Sequence, residues 1–302
     1  LRWEAAATAA VAVLVIVALW VVLIRIEPGR RFENVVWESR TILARRLRLG
    51  HDSALRFIDE TTIALGLFVV VAIGVVRRRL LLGLVVAVAV AGASVTSQVL
   101  KRWVVTRPPT VGELASISGN SFPSGHATIC TALGLAVLVM VPRRWRRVAT
   151  LLVAVWVVVQ SVGVLASGWH RPSDALAGIA VAAAWTAAAI WVIARSGRVV
   201  ADDGELPPPA GELHVAGGAL LVGVAALVVS AAVGGETPVS AGGVAYLASS
   251  ALIVLAGIAT VWWFWFMLRD WTLDAHPIGP TDDGVAPVGR PNGSDGAQAT
   301  SS

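Results

Sequence analysis

The sequence predicts an all-α fold, a polytopic transmembrane helical bundle with a six-helix core followed by two more C-terminal spans. Three observations predict it. Of the 302 residues, 56% are hydrophobic and only 14% are charged, too little charged surface to keep a soluble domain of this length dispersed. Apolar runs long enough to cross a bilayer recur along most of the chain. Short arginine clusters separate some of these runs, the pattern of loops lying against lipid headgroups.

The first run covers residues 5–26. It is long, and Glu27, Pro28, Gly29, Arg30 and Arg31 follow it where a small-residue cleavage site would stand. It therefore reads as an uncleaved span. Residues 27–60 mix arginines with Val35, Val36, Trp37, Ile42, Leu43, Leu47 and Leu49. That pattern suits an amphipathic segment lying on headgroups or an ordinary solvated loop. Further spans are expected at 61–76, 80–100, 126–142, 149–168 and 174–194. Basic clusters separate some of them: Arg77 to Arg79, then Arg143, Arg144, Arg146 and Arg147, then Arg195 and Arg198. After a linker at 199–214 containing Pro207, Pro208 and Pro209, two more spans are expected at 215–233 and 243–268. Residues 269–302, rich in Gly, Pro, Asp and Ser, read as a disordered tail. The core unit is thus 1–198, with two additional helices within 215–268.

The short basic loops favour the cytoplasmic side, which puts 101–125 and 169–173 on the extracytoplasmic face of the plasma membrane. The net charge of +5 sits beside apolar spans, so the implied partner is the lipid bilayer and not a nucleic acid. The single cysteine, Cys130, excludes an intrachain disulfide and a thiolate metal site.

Three polar groups interrupt the apolar chain, and the alternation of spans puts all three on one face. The first, Lys101 to Pro109, contains the only lysine of the chain, together with Arg107. Each cation at such an exit has an alternative use, snorkelling toward headgroups. The second is Ser121-Phe-Pro-Ser124-Gly125-His126. Proline, serine and glycine ahead of an apolar run mark a helix start. Its unpaired N–H groups and dipole suit an anion, and Gly125 permits close approach. Plain capping accounts for Ser124 and Pro123 but not for His126. The third group runs from Gly168 to Asp174. His170 and Asp174 are four apart and share a helical face, so the carboxylate can fix the imidazole tautomer and leave the other nitrogen as base or nucleophile.

These residues resemble the type 2 phosphatidic acid phosphatase (PAP2) family, membrane relatives of the vanadium haloperoxidases. Pro123-Ser124-Gly125-His126 matches the family's Pro-Ser-Gly-His block, and His170 and Asp174 match the end of its Ser-Arg-x5-His-x3-Asp block. Lys101, Arg107 and Pro108 match its Lys-x6-Arg-Pro block with one residue fewer between lysine and arginine. The resemblance covers about residues 55–195. The family's serine and arginine of the third block fall at Gly163 and Val164, and Arg171 is expected to supply the missing guanidinium instead.

The resemblance implies a lipid phosphate phosphatase. His170 would form a phosphohistidine, Asp174 would orient its ring, and His126 would protonate the leaving alcohol and then activate water. Lys101, Arg107, Ser124, Gly125 and Arg171 would hold the phosphoryl oxygens. No metal and no cofactor are implied. Substrates in view are phosphatidic acid, phosphatidylglycerophosphate and polyprenyl phosphate or diphosphate. Two other readings stand beside it: a lipid phosphotransferase, and a non-catalytic phospholipid-binding protein with a degenerate site. A transporter is disfavoured because the ionisable residues gather at one face, away from the bilayer midplane. Gln98 and Gln160 are expected to bond between helices. Trp262, Trp263, Phe264, Trp265 and Phe266 are expected to form an interfacial aromatic belt. His51, His214 and His276 are read as solvated.

Overall fold

The computed structural model describes residues 1–39, 60–108, 120–201 and 241–273. They form an all-α polytopic bundle. The helices are α1 (Arg2–Leu19), α2 (Glu27–Glu38), α3 (Glu60–Val76), α4 (Leu80–Val99), α5 (Gly125–Met140), α6 (Arg143–Ala166), α7 (Pro172–Arg195) and α8 (Ala241–Leu268). A wider π-helical turn extends α1 over Trp20–Arg25 and α4 over Leu100–Val104. Counting those turns, α1, α4, α6, α7 and α8 are long and apolar enough to cross a bilayer, and α3 and α5 are shorter apolar helices. The span expected at 215–233, the tail beyond 273 and His51, His214 and His276 lie outside the described residues.

α7 is the central helix. Alanines and Gly178 make up much of its length, and most of its residues are buried. Small side chains let neighbouring backbones come close, the usual way helices associate where no hydrophobic effect drives them together. One continuous core joins residues of α1, α3, α4, α5, α6, α7 and α8, among them Ala12, Val86, Leu135, Val157, Ile190 and Phe264. α8 therefore packs into the same core as the helices before it.

The two ends of the bundle differ in chemistry. At one end the arginines act as helix caps. Arg146 donates to the carbonyls of Leu268 and Trp271, Arg143 to that of Arg269, Arg77 to that of Met140 and Arg79 to that of Leu273. The carbonyls of Met140, Leu268 and Arg269 lie at the ends of α5 and α8, where carbonyls lack intrahelical partners, and those of Trp271 and Leu273 belong to the short strand that follows α8. β1 (Val199–Ala201) and β2 (Trp271–Leu273) pair antiparallel there and tie the end of α7 to the end of α8. Three-residue strands are too short to show a period, so neither was legible.

The structure corrects two expectations and bears on a third. Arg143 to Arg147 do not precede the span expected at 149–168 but form the first turns of α6. The aromatic run on α8 is not all interfacial. Trp263 and Phe266 are exposed and stacked, whereas Phe264 and Trp265 are buried, because consecutive residues on a helix point in different directions. Gln160 is buried, but its carbonyl oxygen has no hydrogen-bond partner among the described residues.

Residues 27–38, read as an amphipathic segment or loop, are the helix α2. Its Pro28 stands in the first turn, as proline prefers. Arg30 donates to the carbonyls of Ile24 and Arg25 and so caps the end of α1. The buried face of α2 carries Glu33 and Val36. Val36 joins Val164, Tyr246 and Ile253 in a second apolar cluster. α2 therefore sits over the bundle end opposite the arginine caps.

Candidate active site

The three polar groups meet at that end. α6 stops at Ser167, and Gly168 takes a left-handed conformation (φ 70°) with its N–H on the carbonyl of Leu165. This ending favours glycine. The chain then turns through Trp169 and His170 into Pro172, at the start of α7. The His170 N–H donates to the carbonyl of Val164 at 3.2 Å.

Asp174 organises the cluster. It is fully buried. One carboxylate oxygen accepts from the backbone N–H of Arg171 (2.9 Å) and from the Ser121 hydroxyl, and lies 3.4 Å from His170 Nδ1. The other accepts from Arg107 at 2.9 Å. Asp174 thus caps α7 and faces the imidazole with the same carboxylate. The remaining His170 nitrogen, Nε2, is not the one that faces Asp174.

The helix start at α5 is locked to this group. The Ser124 N–H donates to the main-chain carbonyl of Asp174 at 2.8 Å, and Ser124 Oγ accepts from the Ala127 N–H at 3.3 Å. The segment before it includes a cis Phe122–Pro123 peptide. Asn120 donates to the carbonyls of Lys101 (2.8 Å) and Val105 (2.5 Å), which fastens this segment to the exit of α4. The close approach of α5 to α7 requires Gly178, since a Cβ there would lie 2.8 Å from the Ser124 carbonyl oxygen and 3.0 Å from the Thr128 nitrogen. At Gly125 packing makes no such demand, because an added Cβ would meet Gln98 Nε2 at 3.5 Å, an ordinary contact. Gln98 faces this helix start.

His126 stands edge-on to Trp169, with ring centroids 5.3 Å apart, so the second and third groups touch through side chains as well. Lys101 is half-buried and within electrostatic reach of Asp174. Arg107, not the exposed Arg102, is the arginine that reaches Asp174. Arg171 is buried, and its Nε has no hydrogen-bond partner among the described residues. Burial and the nearby Arg107 lower its pKa, while Asp174 and Glu33 oppose the change.

Glu33 is the residue that sequence reasoning missed. It is wholly buried, accepts from Arg107 at 2.7 Å through one carboxylate oxygen, and accepts the Ser173 N–H at 2.9 Å through the other. Burial and the neighbouring Asp174 carboxylate raise its pKa, against the pull of Arg107. Trp37, one turn further along α2, donates to the carbonyl of Gly168 at 2.9 Å. The one available signal was spacing: Glu33 stands three residues before Val36 and so shares the buried face.

The position of the family's third-block arginine, Val164, is fully buried in the cluster containing Val36, Tyr246 and Ile253. No curated protein and no solved structure matches the chain. The model of the PAP2 superfamily matches residues 79–198, which run from the start of α4 to the end of α7 and carry all three polar groups. Residues 79–198, an apolar helical region of this chain, are thus similar to the PAP2 superfamily.

Proposed function

We propose that this membrane protein is a lipid phosphate phosphatase, hydrolysing a phosphomonoester or diphosphate of a phospholipid or polyprenyl lipid. The active site would face the extracytoplasmic side of the plasma membrane. The observation that carries the reading is the junction of α5 and α7. There the imidazole of His170, the carboxylate of Asp174, the guanidinium of Arg107 and the start of α5 are bonded into one unit.

His170 Nε2 attacks phosphorus while Asp174 holds Nδ1. A P–N bond forms, and the P–O bond to the leaving group breaks; that group is the lipid alcohol for a monoester and the lipid phosphate for a diphosphate. His126 gives its proton to the leaving oxygen. It then takes a proton from water, whose oxygen attacks the phosphohistidine and releases inorganic phosphate and free His170. Lys101, Arg107, Arg171 and the N–H groups at Ser124 and Gly125 hold the equatorial oxygens, where charge is spread in the transition state. Gly125 supports this cradle, because packing does not explain its lack of a side chain. Arg171 stands in for the arginine missing at Val164, since it is buried near Asp174 and its Nε has no hydrogen-bond partner among the described residues.

The test is phosphate release by the purified protein across a panel of single lipid phosphates. His170→Ala should abolish release, and Arg171→Ala should lower it about 10- to 100-fold. Orthovanadate should inhibit and EDTA should not. Release that survives His170→Ala, or EDTA inhibition reversed by magnesium, refutes the mechanism. Wild-type release by Arg171→Ala removes that residue from it. Lipid binding without any release, indifferent to His170→Ala, would point to the non-catalytic reading. Transfer to a second lipid in place of release would point to a phosphotransferase.

A further inference from the structure

Both terminal nitrogens of Arg107 are held by carboxylates, NH1 by Glu33 at 2.7 Å and NH2 by Asp174 at 2.9 Å, and its side chain is only 5% exposed. Asp174 lies inside the domain that matches the superfamily, and Glu33 lies well outside it. Both oxygens of Glu33 accept hydrogen bonds from N–H donors. An ionised carboxylate satisfies both donors, whereas an amide would turn a donor toward a donor. The same side chain fixes the Ser173 N–H in the first turn of α7, one residue before Asp174. α2 thereby grips the third polar group at two points, through Glu33 at Ser173 and through Trp37 at Gly168.

We infer that Glu33 is a positioning residue of the phosphate site. It holds Arg107 at the angle the phosphoryl group needs, and its negative charge limits how tightly the cation cluster retains inorganic phosphate. Two consequences separate these roles. Removing the charge while keeping the shape strengthens the attraction for a free dianion, because a nearby carboxylate no longer opposes it. Removing the bridge lets Arg107 shift, and a displacement of about 1 Å costs about 100-fold in turnover. A residue that merely supported the fold would do neither while the protein remained folded.

The experiment measures phosphate affinity by calorimetry on the full chain in detergent, with inorganic phosphate as the probe, alongside kcat for lipid phosphate hydrolysis. Glu33→Gln should bind phosphate about tenfold more tightly, about 1.4 kcal/mol, while kcat falls about 10- to 100-fold. Glu33→Asp keeps the charge but is too short to bridge both donors. It should lower kcat without tightening phosphate binding. Val36→Ala, which loosens the same helix, should leave phosphate affinity unchanged. Unaltered or weaker phosphate binding by a folded Glu33→Gln overturns the charge role. Wild-type kcat in Glu33→Asp overturns the positioning role, and this holds even if Glu33→Gln does not fold. Turnover in this test rests on the phosphatase reading, but affinity does not. Wild-type protein that binds phosphate yet hydrolyses no lipid sinks the proposed function, and the Glu33 charge role is still decided by the affinity shift.

Discussion

Gly178→Ala tests whether the contact between α5 and α7 sets the site geometry. The added Cβ would stand 2.8 Å from the Ser124 carbonyl oxygen, 2.9 Å from Ala127 Cβ and 3.0 Å from the Thr128 nitrogen. Two of these are backbone atoms of the first turn of α5, and they cannot rotate aside. Ordinary contact begins at 3.4 Å, so the helices must part by about 0.6 Å, an overpacking that costs about 1–3 kcal/mol. The same motion stretches the Ser124 N–H bond to the Asp174 carbonyl, which is 2.8 Å long. Since a misplacement of about 1 Å costs about 100-fold in rate, about 0.6 Å predicts a loss of ten- to twentyfold in kcat.

The assay is steady-state phosphate release together with thermal unfolding in detergent. Gly125→Ala is the matched comparison. Its Cβ meets only Gln98 Nε2 at 3.5 Å and Ser97 Oγ at 3.8 Å, so stability should hold while phosphate affinity and kcat drop, because the methyl group occupies the approach to the helix start. Wild-type kcat and wild-type stability in Gly178→Ala would show that the two helices move independently of the chemistry. A destabilised Gly125→Ala with unchanged phosphate affinity would show that glycine at 125 serves packing after all.

At the opposite end, Arg146→Met should lower stability by about 1–3 kcal/mol, because the carbonyls of Leu268 and Trp271 lose a buried donor. The kcat of the folded fraction should stay at the wild-type value, and a kcat loss without a stability loss would contradict the capping role. Glu33 predicts a pH dependence whose sign follows from its raised pKa. The protonated form is favoured by the folded state, so this contribution to stability is complete below the ordinary value of 4.5 and is lost as pH rises through the raised folded value. Thermal unfolding of wild type and Glu33→Gln, compared from below that value to neutrality, should show a shallower decline in the variant. Parallel curves would contradict the raised pKa.

Most of the fold was legible because a bilayer leaves few choices: apolar runs of sufficient length must be helices that satisfy their own backbone. The three polar blocks were legible because each is local, such as His170 and Asp174 on one face of a turn or Pro123 to His126 at a helix start. Glu33 was not, because its partners Arg107 and Ser173 are 74 and 140 residues away. An acidic residue in an arginine-rich segment looks like solvated surface until the tertiary structure buries it. The arginine caps were hidden for the opposite reason. Arg77, Arg79, Arg143 and Arg146 carry the composition of a headgroup-facing loop, and only the fold shows them donating to backbone carbonyls at the ends of α5 and α8 and in β2.

The replacement at Val164 and the buried position of Glu33 are parts of one arrangement. At Val164 the side chain enters an apolar cluster to which α2 contributes Val36 and α8 contributes Tyr246 and Ile253. Neither helix lies in the domain at 79–198. An arginine at 164 would place an unpaired charge against that cluster, at a cost of several kcal/mol. The valine lets α2 and α8 close over the end of α6 instead. With α2 docked there, Glu33 lies beside Arg107, and in the proposed mechanism Arg171 at the start of α7 supplies the guanidinium that Val164 does not. The site then contains Lys101, Arg107 and Arg171 against Glu33 and Asp174, so the cations exceed the carboxylates by one. In the proposed mechanism a dianionic phosphoryl group would be attracted to that excess, and each arginine would remain near a carboxylate that draws it back once phosphate departs. Restoring arginine at 164 should therefore loosen α2, weaken the Glu33–Arg107 bridge and lower kcat. A Val164→Arg protein with undiminished turnover and stability would break the link between the two features.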